Sequence, residues 1–244
     1  MFKKCLFLVV LALVTISCQF TETLVMNEDG SGKMSVSMDL SEMMAFGGMT
    51  DDTTTFRMDT LVSMKEFLAE KKDSISQLPA AEQQKLKKME SFNIRMFADS
   101  DTNEMVMDVF TNFKSIEEAN DIMNGLEQTS NFMSGVGDVK VEKDESSSDA
   151  MGVNYSYENG VFKRDAYIKN VEKHKQQIDS IGQAESFMSS AKYRLKYTFP
   201  RKIKKTSNNE ATFSLDGKTV EVEASFIAYM KDPDVLDLEV ELEN

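Results

Sequence analysis

The sequence predicts an α+β fold, an antiparallel sheet or sheets with one face covered by amphipathic helices. Three observations predict it. Apolar residues alternate with polar ones near both ends of the chain, as in Met34, Val36, Met38 and Leu40 between Lys33, Ser35, Ser37 and Asp39, and period two marks a half-buried strand. Turn dipeptides, Asn159-Gly160 and Asp216-Gly217, join such runs. Other stretches carry apolar residues at helical spacing. Strands with one apolar and one charged face belong in a sheet with one solvated side, and the other side needs a cover.

Phe20 to Leu40 reads as a hairpin. Phe20, Leu24 and Met26 share a face, and Asn27 to Gly32 is a turn rich in residues that accept positive φ. Ser41 to Met58 reads as a short helical turn and a Met-containing loop. Asp59 to Lys72 follows as a helix on the spacing of Leu61, Val62, Met64, Phe67 and Leu68. Pro79 suits the first turn of a second, polar helix to Glu90, with Leu86 and Met89 as its anchors. Phe92, Ile94 and Met96 alternate into a turn over Ala98 to Glu104. Met105 to Phe113, apolar on both sides, reads as a central strand. Ser115 and Glu118 have capping-box spacing before a helix to Gly125.

Thr129 to Ala150 changes composition. Its tract Lys143 to Asp149, with three consecutive serines, is too polar to offset the entropy of ordering. The expected division is residues 1–17 as a signal peptide, 18–128 as an N-terminal α+β part, 129–150 as a linker or long loop, and 151–244 as a β-rich part completing one domain with the first. In that last part Asn159-Gly160 sets Tyr157 opposite Phe162, Tyr155 opposite Arg164 and Val153 opposite Ala166, all on one face. Tyr167 to Ser190 reads as a long helix. Ala191 to Phe199, Val220 to Ala228 and Leu236 to Leu242 read as strands, and Asp216-Gly217 places Phe213 opposite Val220.

The first eighteen residues have their own logic. Lys3 and Lys4 precede an apolar run from Leu6 to Val14, and Thr15-Ile16-Ser17 lead into Cys18. That is the order of a secretory signal, and the run is shorter than the roughly 20 residues a membrane span needs. The end of the signal resembles the bacterial lipobox at Ser17 and Cys18, with Thr15 where that pattern usually has Leu. The resemblance implies that Cys18 takes a lipid and becomes the new N-terminus. The other cysteine, Cys5, leaves with the signal, so disulfides and thiolate metal sites are excluded from the remaining domain.

Composition narrows the function. Hydrophobic residues make up 41% and charged ones 28%, which is globular. The formal charge of −13 becomes about −15 once Lys3 and Lys4 are removed. Such a chain has no electrostatic reason to hold nucleic acid, and anionic headgroups repel it, leaving the lipid on Cys18 as its hold on a membrane. The 18 methionines suit core filling and adaptable binding surfaces.

Motifs for chemistry are incomplete. Gly30-Ser31-Gly32-Lys33 is followed by Met34, not Ser or Thr, so it is a turn and not a phosphate loop. Asp99-Ser100-Asp101-Thr102-Asn103 begins like a calcium loop, but Glu104 and Phe110 stand where Gly and a bidentate Glu are needed. Asp232, Asp234 and Asp237 read as a turn before the last strand. His174, the one histidine, lies between Val171 and Ile178 and reads as structural. No catalytic residue, metal site or cofactor is expected, and the chain is not read as an enzyme.

Two stretches resemble the LppM-type family of bacterial lipoproteins: Leu24 to Gly32, and Tyr197-Thr198-Phe199-Pro200 followed by Thr219 to Val222. The resemblance implies an α+β domain outside the cytoplasm, with helices over a curved sheet and lipid or amphiphile binding. The expectation is therefore a lipid-anchored protein of the bacterial cell envelope, facing the periplasm. Its partners would be the membrane through Cys18, a lipid-like ligand held by apolar contact in a Met-, Phe- and Leu-lined space between helices and sheet, or another envelope protein. The alternatives are a purely structural or assembly role, and a hydrolase using paired carboxylates.

Overall fold

β1 (Gln19–Met26) and β2 (Gly32–Asp39) form the expected hairpin. Its turn closes through the Asp29 carboxylate, which accepts from the Ser31 amide at 3.0 Å and from its hydroxyl at 2.6 Å, while Gly30 takes φ +81°. The structure, a computed structural model, describes residues 19–42, 55–116, 118–120, 150–183 and 188–244. The signal peptide, Cys18, residues 43–54 of the Met-containing loop, residues 121–125 of the helix after Ser115, and linker residues 129–149 lie outside them. Ala150, at the end of that linker, is buried.

The remaining elements follow in order. β3 (Arg57–Ser63), α1 (Met64–Glu70), α2 (Lys72–Ile75) and α3 (Ala80–Lys88) precede β4 (Asn93–Asp99) and β5 (Glu104–Phe113). After residue 149 come β6 (Met151–Glu158), β7 (Val161–Ile168), α4 (Val171–Gln183), β8 (Lys192–Thr198), β9 (Ile203–Thr206), β10 (Thr212–Phe213) and β11 (Thr219–Ser225). The chain ends with α5 (Phe226–Lys231), a helical turn at Pro233–Leu236, and β12 (Leu238–Leu242).

The class is α+β, and the described strands form two sheets. The eight-stranded one has the order β10-β11-β8-β1-β2-β5-β4-β3, and the four-stranded one β6-β7-β12-β9. Among the described residues all pairings are antiparallel except that of β1 with β8, where Phe20 aligns with Tyr193 and Leu24 with Tyr197. The cover of the long sheet is shared. Over β2, β4 and β5, Met64 and Leu68 of α1 join Met89, Phe92 and Ile116 in the buried core. Over β1 and β8 lies the second sheet, whose Phe162 ring meets Tyr197 edge-on at 5.4 Å and Phe199 at 5.2 Å.

The register expected from Asn159-Gly160 holds at every pair: Tyr157 with Phe162, Tyr155 with Arg164, Val153 with Ala166. Both turn residues have positive φ, 52° and 79°, as this hairpin turn requires. Phe213 pairs with Val220 as expected.

Several elements differ from the sequence reading, among them the last strand, which begins at Leu238 because Leu236 ends a helical turn opened by Pro233. Arg57–Ser63 is a strand where a helix was expected, and the helix begins only at Met64. The spacing of Leu61 and Val62 fits both periods, but Ser63 accepts from the Glu66 amide and starts the helix there. The long helix begins at Val171, not Tyr167, because Asn170 accepts from the Lys173 amide at 3.0 Å and β7 runs on to Ile168. The strand from Val220 ends at Ser225, whose hydroxyl accepts from the Ala228 amide and opens α5. Ile203–Thr206 forms a strand that its lysines hid. The capping box is displaced by one residue, since Glu118 accepts from the Lys114 amide at 2.8 Å.

Gly32 sits where β2 passes between β1 and β5. A Cβ there would lie 2.2 Å from the Val25 carbonyl oxygen and 2.3 Å from the Phe113 ring. Gly32→Ala is therefore expected to lower the unfolding free energy by about 1–3 kcal/mol in urea titration. Gly30→Ala, with open space around it, meets only the left-handed backbone cost of about 1–2 kcal/mol.

Candidate functional site

The alternation of β1 points Glu22 inward with Phe20, Leu24 and Met26. The parallel register with β8 places it between Tyr193 and Tyr197, and the second sheet brings Tyr155 and Arg164 onto it from above. Glu22 is fully buried and Arg164 is 1% exposed. Tyr155 donates to Glu22 Oε1 at 2.5 Å, Tyr193 to Oε2 at 2.9 Å, and Tyr197 to Oε1. The Arg164 guanidinium donates to both carboxylate oxygens, Nε to Oε1 at 3.3 Å and Nη2 to Oε2 at 3.1 Å. It also donates to the Tyr229 hydroxyl at 3.1 Å and the Leu236 carbonyl at 3.2 Å.

Burial would push the Glu22 carboxyl up. The Arg164 charge and its hydrogen bond, with those of Tyr155 and Tyr197, outweigh burial and hold it below its ordinary value of 4.5. Burial and the Glu22 charge push the Tyr155, Tyr193 and Tyr197 hydroxyls well up. A buried, perturbed carboxylate is a usual sign of an active site. Here five donors meet a group with about four acceptor sites. The carboxylate has no acceptor left for a substrate, so the cluster acts as a polar bolt between the two sheets.

The residues singled out in the sequence are placed as follows. Asp99 Oδ1 accepts from the Asp101 amide at 2.9 Å, and its carboxylate lies 3.6 Å from Arg57, so the turn uses it internally. Lys33 lies over the Phe110 ring at 4.5 Å. His174 is nearly buried and its Nε2 donates to the Met230 carbonyl at 2.8 Å, tying α4 to α5. Among the described residues no group of three or more His, Cys, Asp or Glu is placed to hold a metal ion, and no helix is long and apolar enough to cross a membrane.

Two concavities lie among the described residues. A polar cleft of about 400 Å³ runs over the second sheet beside Asp165, Asp237 and Glu239. Burial, with Asp165 and Asp234 nearby, raises the Asp237 carboxyl, although the amide of Ala166 opposes the shift. That amide donates to Asp237 Oδ1 at 2.8 Å, and Glu239 is paired with Lys163 at 2.7 Å. The second concavity is an open groove of about 590 Å³ between α1, α2 and α3. Leu68, Ile75 and Leu86 form its apolar part, with Lys65, Lys72 and Lys87 also lining it. It lies among the helices. The space under them, where the sequence placed a ligand, is filled by Met34, Met64, Met89, Phe92 and Phe113. The groove could not be read from the sequence, because it depends on how three short helices fold back on one another.

Glu22 has its pKa depressed by folding, so its stabilisation is fully present above its unfolded value and is lost as pH falls through the folded one. Glu22→Gln leaves Arg164 buried without its counter-charge and is expected to lower stability near neutral pH by about 3–5 kcal/mol. In urea titrations the gap between the parent protein and the variant should narrow as pH falls below 4.5.

No family profile and no curated protein matches the chain. Among solved structures it is similar to the folded domain of Mycobacterium tuberculosis LppM, determined by NMR. The identity is 10% and the TM-score 0.40, over 93% of this chain and 89% of that one. A likeness at this level says nothing of function.

Proposed function

We propose that the chain is a non-enzymatic, lipid-anchored lipoprotein of the bacterial cell envelope, facing the periplasm, and that its helical groove holds an apolar or lipid-like molecule. The observation that carries the binding role is the groove itself. Its volume falls in the range of small-molecule sites, and its floor is made of Leu68, Ile75 and Leu86. The anchoring role rests on Cys18 and the signal before it.

The chain as a whole is acidic, at −13, so its average field offers an anionic head nothing. Locally, Lys65, Lys72 and Lys87 outnumber Glu90 among the lining residues. An acyl chain lying on the apolar floor would place an anionic head within reach of them. Exposed charges of this kind are screened over about 10 Å at 0.1 M salt, so an anionic ligand should bind less tightly as salt rises.

A hydrolase is the weaker reading. The raised Asp237 sits in a cleft with other carboxylates, but its Oδ1 is engaged by Ala166 and Glu239 by Lys163. Docking to another envelope protein remains the outcome to adopt if the groove binds nothing.

Titration with a fluorescent fatty acid tests the binding role. Saturable binding is expected, abolished by Ile75→Glu and weakened by Lys72→Gln and Lys87→Gln together. Binding that ignores all three substitutions, or its absence, would overturn the groove as the site. Cys18→Ala is expected to leave the domain folded and to move it from the membrane to the soluble fraction, because stable anchoring needs two or more acyl chains on that residue. A Cys18→Ala protein that still sediments with membranes would show that the anchor is elsewhere.

A further inference from the structure

The first described residue, Gln19, is already a full member of the long sheet. It pairs with Asp39 of β2 on one side and Lys192 of β8 on the other. β1 is an interior strand, with three strands beyond it on one side and four on the other. The ladder continues from Lys192 to Ser225 and from Asp39 to Val106. Cys18 is joined to Gln19 by a single peptide bond, and consecutive Cα atoms are about 3.8 Å apart. There is no length of chain between the residue proposed to carry the lipid and the rigid frame.

We infer that the edge of the long sheet formed by Gln19, Asp39, Lys192 and Ser225 is a membrane-facing surface, and that the domain stands on the bilayer by this edge. The inference rests on the reading of Cys18 as the lipid-bearing residue. Acyl chains must lie in the hydrocarbon, so Cys18 sits at the headgroup level and Gln19 immediately above it. A flexible linker would let the domain tumble, since linker reach grows with length; here that length is zero. Charge acts in the same sense. A chain of −13 is repelled by anionic headgroups, so the part of the molecule that nothing tethers is pushed away from the surface. The opposite end of β1, with the turn at Asn27 to Gly30, lies seven residues further on, about 24 Å at the usual strand rise.

The chain has no tryptophan, so a single introduced one reports its own surroundings. Leu40→Trp places it next to Asp39 at the inferred edge, at a half-exposed site outside the core cluster. Glu28→Trp places it on the exposed far turn. Both are made in the full chain, matured in membranes, and reconstituted in phosphatidylcholine–phosphatidylglycerol vesicles carrying lipids brominated near the headgroup. The expected result is loss of most Leu40→Trp emission with Glu28→Trp emission unchanged. A second pair, with a flexible Gly-Ser segment inserted after the residue that follows Cys18, should lose that difference. Equal quenching of both sites in the uninserted protein, or stronger quenching of Glu28→Trp, would overturn the inference while leaving anchoring intact. Protein that does not float with the vesicles, or whose Cys18 proves unacylated by mass spectrometry, would overturn the anchoring reading and this inference with it.

Discussion

A carboxylate taken out of water costs several kcal/mol unless its charge and lone pairs are answered. Glu22 is fully buried near the middle of the long sheet, and much of the fold is arranged around that fact. Its partners come from β6, β7 and β8, and Arg164 in turn is held by Tyr229 of α5 and the carbonyl of Leu236. These groups meet only when the second sheet is seated on β1 and β8. A misplaced seat would leave a buried charge unpaired, which is far worse than a lost apolar contact. The cluster thus selects one alignment of two sheets whose aromatic faces, Phe162 against Tyr197 and Phe199, could slide with less penalty.

The same arrangement separates structure from function in this chain. The buried polar cluster looks like chemistry, but its carboxylate is fully engaged by the donors around it. The solvent-facing groove on the helices, well away in sequence from β1, is lined by apolar floor residues and lysines. On the proposed reading, the polar centre holds the frame and the groove on short helices holds the ligand, as binding surfaces are commonly carried by the less constrained elements of a scaffold. If Cys18 carries the lipid, the rigid part is also the part fixed to the membrane.

Much of the sheet was legible because strand patterns are local. Asn159-Gly160 fixed its hairpin to the residue, and the faces of β1, β2 and β8 follow from alternation. Glu22 was legible in principle: it occupies an inward position between Phe20 and Leu24, where a glutamate demands a partner. Which partner was not legible, since that depends on a parallel pairing of β1 with β8 and on the seat of a second sheet. Ser63 and Glu66 carried the capping signal that would have ended the strand at Ser63. The strand Ile203–Thr206 is a sheet edge with two exposed lysines, and edges of that kind show no alternation to read. The groove escaped for a different reason, being a product of helix packing and not of any one pattern.

The central claim is that Glu22 and Arg164 hold the two sheets in register through each other. A double-mutant cycle of Glu22→Gln and Arg164→Met, read as unfolding free energy in urea near neutral pH, tests it most directly. The account predicts that each single substitution is strongly destabilising and that the pair together costs much less than their sum, with a coupling of about 2–3 kcal/mol. Additive costs, with coupling near zero, would mean that the two charges do not depend on one another and would contradict it.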